Sequence, residues 1–293
     1  MLQSMMDQLD AAVYRHGPSN VAQNAKLWDL YAKEHQKHPT WLSQMAAAVG
    51  QDASALPHIG CEWSDAGSLQ QVLHEWLLPH LPSRGAVAEI ACGGGRITSF
   101  IAPQLLQGAA DASAMRLVAT DVSSVMLAAA SVAAHSAMGA QDVPQDALQF
   151  HHTPSGTGRE WSKCIQSALG SPPIPFSLVV CFDAMVHMDL HVQRDYITAI
   201  AQQLAPGGMC LLTTADMTSP LGWRRFQGQS RSTVAGFVWS TPAATRHMLV
   251  QAGLRVVRES SPVQGERLPT GNLYLDRDYV VLAQKPTEPA PES

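Results

Sequence analysis

Short apolar runs alternate with helical patterns along most of the chain, and this alternation restricts the fold more than any other feature of the sequence. Uninterrupted apolar runs are typical of strands that are buried on both faces of a parallel sheet. The helical stretches between them supply the crossovers that parallel strands require. The runs lie at 86–91, 116–121, 147–152, 176–182, 208–214, 254–258 and 278–283. We therefore expect an α/β fold with a seven-stranded, mostly parallel sheet and helices on both of its faces.

The first part of the chain has a different pattern, because its apolar residues recur at helical spacing with no strand between them. This spacing predicts helices over 21–31 and 41–49, and a third helix in which Ser68 and Gln71 form a capping box. Three regions result: an N-terminal helical cap over 1–82, a main domain over 83–285 and a disordered tail over 286–293.

The charge balance and the cysteine usage limit the kinds of partner. The chain has 19 Lys and Arg against 24 Asp and Glu, a formal net charge of -5, whereas nucleic-acid-binding surfaces are usually basic. Its 5 cysteines form no C-x-x-C pair, which favours a reducing compartment over a disulfide framework. No apolar run approaches the roughly 20 residues of a membrane span. We expect a soluble, cytoplasmic protein that binds neither nucleic acid nor a membrane.

A strand, an acid, a glycine-dense turn and the start of a helix follow one another in Ala86–Arg96. Glycines let a backbone approach a ligand closely, and the first turn of a helix offers free N–H groups. A dinucleotide site would need G-x-G-x-x-G, but counted from Gly93 the third glycine position holds Thr98. The carboxylate of Glu89 would also repel a pyrophosphate and attract a cation. The turn therefore favours a cationic ligand over a dinucleotide.

The segment Glu89-Ile-Ala-Cys-Gly-Gly-Gly resembles the first motif of the class I, Rossmann-like S-adenosylmethionine-dependent methyltransferases, in particular those of the small-molecule type. That motif is an acid followed by x-G-x-G-x-G, and Ala91 stands here at its first glycine. The resemblance implies a Rossmann-like sheet with S-adenosylmethionine as cofactor. It also implies that Gly93 and Gly95 line the methionine part of the cofactor and that Glu89 lies near its ammonium group. We assign Ala91 and Arg96, in the same turn, to the cofactor site as well.

The second strand ends in Asp121, which resembles the acid that binds both ribose hydroxyls of the cofactor in this family. A carboxylate has two oxygens and can accept hydrogen bonds from both hydroxyls of a cis-diol. Val122 would then pack against the adenine. A third acid often follows the third strand in the family, but the sequence there reads Phe150-His-His-Thr-Pro, so no residue is assigned to the adenine amino group.

The fourth strand leads into Asp183 and His187, a stretch that resembles the family motif at which the cofactor methyl meets the acceptor. The pKa of a histidine suits proton removal near neutral pH, so His187 is a candidate general base and Asp183 a second candidate catalytic residue. The alternative is that Asp183 caps the following turn while His187 is a packed, hydrogen-bonded residue. Asp189 is interpreted as the N-cap of the next helix. A last match, the L-x-P-G-G turn that starts at Leu204, precedes the fifth strand.

An irregular stretch rich in glycine and aromatic residues, 215–240, interrupts the alternation where this fold often covers its acceptor. We interpret it as an acceptor-covering insertion in which Arg224 and Arg225 hold a carboxylate or phosphate and Trp223 forms a wall. Arg231 extends the same cluster. The alternative is that these arginines form a solvated face. No metal is expected, because the paired histidines lack the further ligands that a metal site needs.

These motifs predict a methyltransferase that transfers a methyl group from S-adenosylmethionine to an oxygen, nitrogen or sulfur atom of a small-molecule acceptor by in-line displacement. Two alternatives stay open. One is an NAD(P)-dependent oxidoreductase, which the missing third glycine disfavours, and the other is a non-catalytic cofactor-binding protein of the same fold. The sequence carries no signal for the oligomeric state.

Overall fold

A single mostly parallel sheet forms the centre of the protein. The computed structural model describes residues 19–37, 59–60, 65–106, 115–139, 144, 146–170, 174–230, 236–261 and 268–287. The strands within these ranges are β1 (Gly85–Ile90), β2 (Met115–Asp121), β3 (Leu148–His152), β4 (Phe176–Cys181), β5 (Leu204–Asp216), β6 (Trp239–Ser240), β7 (Arg255–Glu259) and β8 (Asp278–Gln284). The predicted seven strands are confirmed, and the two-residue β6 is an addition to them.

The strands lie in the order β3-β2-β1-β4-β5-β8-β7, and β6 pairs with the end of β5. All of these pairs are parallel except those that β8 forms with β5 and β7. The predicted Rossmann-like α/β fold is therefore confirmed. The order reverses between β1 and β4, which opens a crevice at the carboxyl ends of these two strands.

Helices cover both faces of the sheet. They are α1 (Asn20–Lys37), α2 (Ala66–Val72), α3 (Thr98–Leu106), α4 (Ser124–Met138), α5 (Gly158–Ala168), α6 (Leu190–Gln203), α7 (Pro220–Gly228), α8 (Pro242–Gln251) and α9 (Leu273–Arg277). Neighbouring residues of a strand point to opposite faces, so Ala88 belongs to the core under α5, α6 and α8. Val87 belongs to the opposite core, which α2, α3 and α9 cover with residues such as Ile101 and Tyr274.

Side-chain caps begin the helices that follow β2 and β4. Ser123 Oγ accepts the N–H of Met126 at the start of α4. Asp189 Oδ1 accepts the N–H groups of His191 and Val192 at the start of α6. The N-cap predicted at Asp189 is confirmed. These caps fix where each strand gives way to a helix, and therefore which residues lie at the edge of the crevice.

The capping box predicted for Ser68 and Gln71 is wrong. α2 has its N-cap at Asp65, whose Oδ2 accepts the N–H of Ser68. Ser68 Oγ accepts the N–H of Leu273 at 2.8 Å, which ties α2 to α9. The hydroxyl thus serves a contact between distant segments, and a local sequence pattern carries no information about that contact.

α1 and α2 both lie in the predicted N-terminal cap, and α1 is the one that contacts the carboxyl end of the sheet. Its Asp29 Oδ1 accepts a hydrogen bond from Ser123 Oγ at 2.6 Å. Near its first turn, the Asn20 amide donates to the carbonyl of His187 at 2.9 Å and accepts the N–H of Asp189 at 3.1 Å. α1 is therefore attached beyond the carboxyl end of β2 and also beyond that of β4.

Several predictions concern residues outside the described ranges, namely the helix over 41–49, Arg231 and the part of the tail from 288 to 293. Among the helices that the structure describes, none combines the length and the apolar composition needed to cross a bilayer.

Candidate active site

A cavity of about 340 Å³ lies at the carboxyl ends of β1, β2 and β4, where the strand order reverses. Its volume falls within the range of small-molecule sites, and ligands of open α/β sheets bind at this position. Predicted cofactor residues that line it are Glu89, Ala91, Gly93, Arg96, Asp121 and Val122. Predicted acceptor-side residues that line it are Asp183, His187 and Arg225. The structure therefore brings most of the predicted site residues into one space.

The glycine turn between β1 and α3 adopts a left-handed backbone at Ala91, Gly93 and Gly95, with φ of 55°, 54° and 91°. A Cβ at Gly93 would meet no atom within 4 Å, so this glycine keeps the cavity wall open. A Cβ at Gly95 would lie 2.8 Å from the Ala130 Cα, and Gly95 does not line the cavity. Gly95 therefore allows the turn to pack against α4, which differs from the cofactor contact predicted for it.

We expect Gly93→Val to weaken S-adenosylmethionine binding, because the branched side chain would occupy the space beside the turn. Overpacking costs about 1–3 kcal/mol, so the Kd should rise by roughly one to two orders of magnitude in isothermal titration calorimetry. Gly253→Val is the matched control: Gly253 has a φ of 80° and open space around it, but it lies between α8 and β7. The control should lose thermal stability and keep its Kd. Equal Kd values for both variants would place the cofactor elsewhere.

Two buried carboxyl groups flank the glycine turn. Glu89, at the end of β1 and only 3% exposed, accepts a hydrogen bond from Thr98 Oγ1 at 2.6 Å. Asp121 accepts the N–H groups of Gly93 and Ser123, each at 2.8 Å. Burial raises the pKa of Glu89 to about 8 and that of Asp121 to about 6. A positively charged ligand bound beside these two groups would favour their ionised forms, so this part of the cavity suits a cation that displaces their protons.

Asp183 lies between two arginines on the other side of the turn. Its carboxylate pairs with Arg96 at 2.9 Å and with Arg277 at 3.5 Å. Burial opposes ionisation, but the two guanidinium groups hold the pKa of Asp183 below its ordinary value. The interpretation of Asp183 as a cap of the following turn is wrong, because its side chain bonds to these arginines and that turn has no side-chain cap.

His187 lies in a short 3₁₀ turn, Met185–His187, with its ring between Trp28 and Phe237 at centroid distances of 5.3 Å and 5.7 Å. Its Nδ1 is 3.0 Å from the carbonyl oxygen of Gly236. A carbonyl only accepts hydrogen bonds, so Nδ1 carries the hydrogen and the neutral ring has its lone pair on Nε2. Burial lowers the pKa of His187, although the negative charge of Asp183 partly opposes this. His187 is thus packed and hydrogen-bonded, and it also lines the cavity.

The three predicted residues of α7 point in different directions. Arg225 lines the cavity, with its guanidinium 4.1 Å above the ring centroid of Phe237. Trp223 is 46% exposed and stacks on Phe226, and Arg224 is exposed. Successive helical residues are about 100° apart, so one face of α7 supplies one residue to the cavity. Among the described lining residues, neither Trp223 nor Arg224 appears.

Some lining residues carry no sequence signal for a site. Arg277 and Phe237 come from segments without a motif. Asn20 does not line the cavity, but from α1 it binds the carbonyl of His187. Thr98 stands at the position where a dinucleotide site would have its third glycine. Its Oγ1 donates the hydrogen bond that Glu89 accepts. Within the described ranges, no three histidine, cysteine or acidic side chains lie together in a way that suits a metal ion.

The sheet order with an antiparallel β8 inside it, the glycine turn after β1 and the acids at the ends of β1 and β2 define the class I methyltransferase fold. Residues 88–210 match the family model described as a methyltransferase domain. The chain therefore contains a methyltransferase domain, and such a domain takes its methyl group from S-adenosylmethionine. The oxidoreductase alternative is not supported.

Solved structures have the same fold at low sequence identity. Magnesium protoporphyrin IX methyltransferase from Synechocystis PCC 6803, with bound SAH, is 17% identical over 77% of this chain and 87% of that chain, with a TM-score of 0.50. An O-methyltransferase family protein from Burkholderia thailandensis is 16% identical over 77% of this chain and 57% of that chain, with a TM-score of 0.53. These similarities establish the fold. The comparison with curated proteins gave no match.

Proposed function

We propose that this enzyme transfers the methyl group to a hydroxyl or amino group of a small-molecule acceptor, with His187 as the general base. The observation that carries the proposal is the orientation of the imidazole. The Gly236 carbonyl holds Nδ1–H, which leaves Nε2 as the nitrogen that accepts a proton. Because burial lowers the pKa of His187, the ring is neutral at pH 7 and Nε2 is available. A thiol needs less help from a base, so this histidine favours an oxygen or nitrogen acceptor over sulfur.

In the proposed reaction, the acceptor proton moves to Nε2 of His187 as the bond to the methyl carbon forms and the sulfur–carbon bond breaks. The hydrogen bond from Nδ1 to the Gly236 carbonyl becomes charge-assisted in the imidazolium. The negative charge of Asp183 also favours the imidazolium. When bound, S-adenosylmethionine supplies a methyl group on a positively charged sulfur, so the leaving group needs no acid. The protein aligns the acceptor and handles one proton.

The residues beside the glycine turn fit the cofactor. The turn leaves open space at Gly93, and the buried carboxyl groups of Glu89 and Asp121 face this part of the cavity. We propose that Glu89 accepts a hydrogen bond from the ammonium group and that Asp121 accepts those of the ribose hydroxyls. Gly95 acts only through its packing against α4. The other members of the proposed cofactor set are Ala91, Gly93, Arg96 and Val122.

The small-molecule acceptor is supported by how α1 lies over the cavity. Trp28 packs against the ring of His187, and Asn20 holds the turn that carries this histidine. An acceptor that reaches Nε2 must fit beneath α1 into the part of the cavity that the cofactor leaves, and this limited space favours a small molecule.

The direct test is formation of S-adenosylhomocysteine with a panel of small hydroxyl, amine and thiol compounds, after calorimetry has established that S-adenosylmethionine binds. We expect turnover with a hydroxyl or amine. Cofactor binding without transfer to any small compound in the panel would contradict the proposal, and so would transfer to RNA or protein alone.

The raised pKa of Glu89 gives the cofactor affinity a pH dependence. If the ammonium group binds the ionised carboxylate, binding must remove the proton that Glu89 holds up to about pH 8. Between the pKa of Asp121 near 6 and that of Glu89 near 8, affinity should therefore rise about tenfold per pH unit. Without ligand the sign is opposite: the unfolded chain loses this proton near 4.5 and the folded protein near 8, so the free energy of unfolding falls as the pH rises through this interval.

Calorimetry in two buffers of different ionisation enthalpy measures the released proton. We expect close to one proton per bound S-adenosylmethionine at pH 7 for the natural protein. Glu89→Gln keeps an oxygen that can accept the Thr98 hydrogen bond but holds no titratable proton, so its release should be close to zero. Equal proton release by both proteins would remove Glu89 from the ammonium site.

A further inference from the structure

An arginine without a salt bridge in the described ranges lies on the acceptor side of the cavity. Arg277 pairs with Asp278 at 2.6 Å and with Asp183 at 3.5 Å, and Arg96 pairs with Asp183 at 2.9 Å. Arg225 forms no salt bridge or hydrogen bond with any residue in the described ranges, although its guanidinium lines the same cavity. An anionic ligand in the cavity could therefore bind its N–H groups.

Arg225 is an exposed residue of α7 whose guanidinium packs over an aromatic ring at the cavity. Its guanidinium lies 4.1 Å above the Phe237 ring centroid, and Arg277 lies 4.8 Å from the same centroid. Two guanidinium groups so close together create a positive potential, and burial together with the Arg277 charge lowers the pKa of Arg225. A guanidinium stacked on an aromatic ring keeps its N–H groups at its edge, where they can bind a planar anion.

We propose that the methyl acceptor carries a carboxylate that binds Arg225 while its hydroxyl or amino group lies at His187. This inference rests on the proposed function and deepens it by naming the substrate class. Arg225 and His187 both contact the ring of Phe237, so they form neighbouring walls that one small molecule can reach together. A bidentate arginine–carboxylate pair is among the strongest polar contacts, and a carboxylate would give Arg225 the salt bridge that the described residues do not supply.

The rest of the lining indicates the body of the acceptor. Trp28, Tyr31 and Met188 present aromatic and apolar surface to the cavity between its charged groups. Such walls suit an aromatic or other apolar framework that separates the carboxylate from the methylated atom. A phosphate ester carries about two negative charges near pH 7, whereas a carboxylate is planar and singly charged, so a carboxylate better matches the edge of one guanidinium.

The first test measures binding without turnover. Benzoate and benzamide have nearly the same shape and differ in charge, so each is titrated into the complex with S-adenosylhomocysteine. We expect benzoate to raise the melting temperature and to bind roughly 10–100-fold more tightly than benzamide. Arg225→Gln should reduce this ratio to about one, and Arg225→Lys should retain part of it because the charge remains. Arg224→Gln is the control, since Arg224 is the neighbour on α7 that does not line the cavity, and it should leave the ratio unchanged.

The second test uses paired acceptors, namely hydroxy and amino carboxylic acids, their primary amides and the corresponding phosphate monoesters. We expect kcat/KM to be highest for the acids and the preference to disappear in Arg225→Gln. Equal use of acids and amides, or a preference that survives in Arg225→Gln, would overturn the carboxylate proposal and leave the methyltransferase proposal intact. Preferred use of phosphate esters would also overturn it. If no small compound is methylated, both proposals are wrong.

Discussion

His187→Ala should lower the rate of methyl transfer by roughly 10²–10⁴-fold, because the acceptor loses the group that removes its proton. The Kd for S-adenosylmethionine should hardly change, since the proposed contacts to its ribose and ammonium groups come from Asp121 and Glu89. The rate must be measured in single-turnover mode, so that product release does not mask the chemical step. This variant has the largest expected effect on the reaction.

The pH profile separates a base from a residue that only packs. A base acts when it is unprotonated, so the rate of the natural enzyme should fall as the pH drops below the pKa of His187, which burial places under its ordinary 6.5. His187→Ala should lack this acid limb. His191→Ala is the control, because His191 is exposed at the start of α6 and should retain both rate and profile. Near-normal single-turnover rates in His187→Ala would exclude the base role and favour a sulfur acceptor.

Asp121→Ala should have the second largest effect, on binding rather than on chemistry. Loss of a charge-assisted acceptor costs about 1.5–3 kcal/mol, so the Kd for S-adenosylmethionine should rise roughly 10–150-fold. Asp121 also accepts the N–H groups of Gly93 and Ser123, so its removal loosens the glycine turn as well. Asp121→Asn keeps one acceptor oxygen and should have an intermediate Kd.

The Asp121 variants need a control for the loss of an acid from the same sheet. Asp146 precedes β3 and pairs with Arg116 at the surface, at 2.6 Å. Asp146→Ala should leave the Kd unchanged, and the melting temperatures of the unliganded variants should show that each is folded. An unchanged Kd in Asp121→Ala, measured by calorimetry, would remove Asp121 from the cofactor site.

Much of the fold, and the convergence of Glu89, Gly93 and Asp121 on one cavity, could be predicted because the signals are local. The predicted apolar runs form strands in the structure. Glu89 and Asp121 lie at the ends of β1 and β2 and Gly93 lies in the turn after β1, so the parallel sheet brings all three to one edge. The exception is Gly95. The motif predicted a contact with the cofactor, but a glycine is needed there because a side chain would clash with Ala130. A motif identifies where a glycine is needed without saying which neighbour requires it.

The acceptor side could not be predicted to the same extent, because its contacts join distant segments. Asp183 and Arg277 are 94 positions apart, and Asn20 is 167 positions from His187. No short pattern encodes such pairs. The helix α7 was also not predicted within 215–240, and without its periodicity the sequence could not distinguish Arg225 from Trp223 and Arg224.

The position of β8 has a consequence for the order in which the protein is assembled. β8 comes last along the chain yet lies between β5 and β7, and Arg277 immediately precedes it. Because β8 runs antiparallel to β5, its first residue meets the carboxyl edge of the sheet, where the parallel strands end. During synthesis, Asp183 therefore emerges long before one of its two arginine partners. Among the described strands β8 is the last to be synthesised, so the side of the cavity that holds both arginine partners of Asp183 forms only after β8 has inserted between β5 and β7.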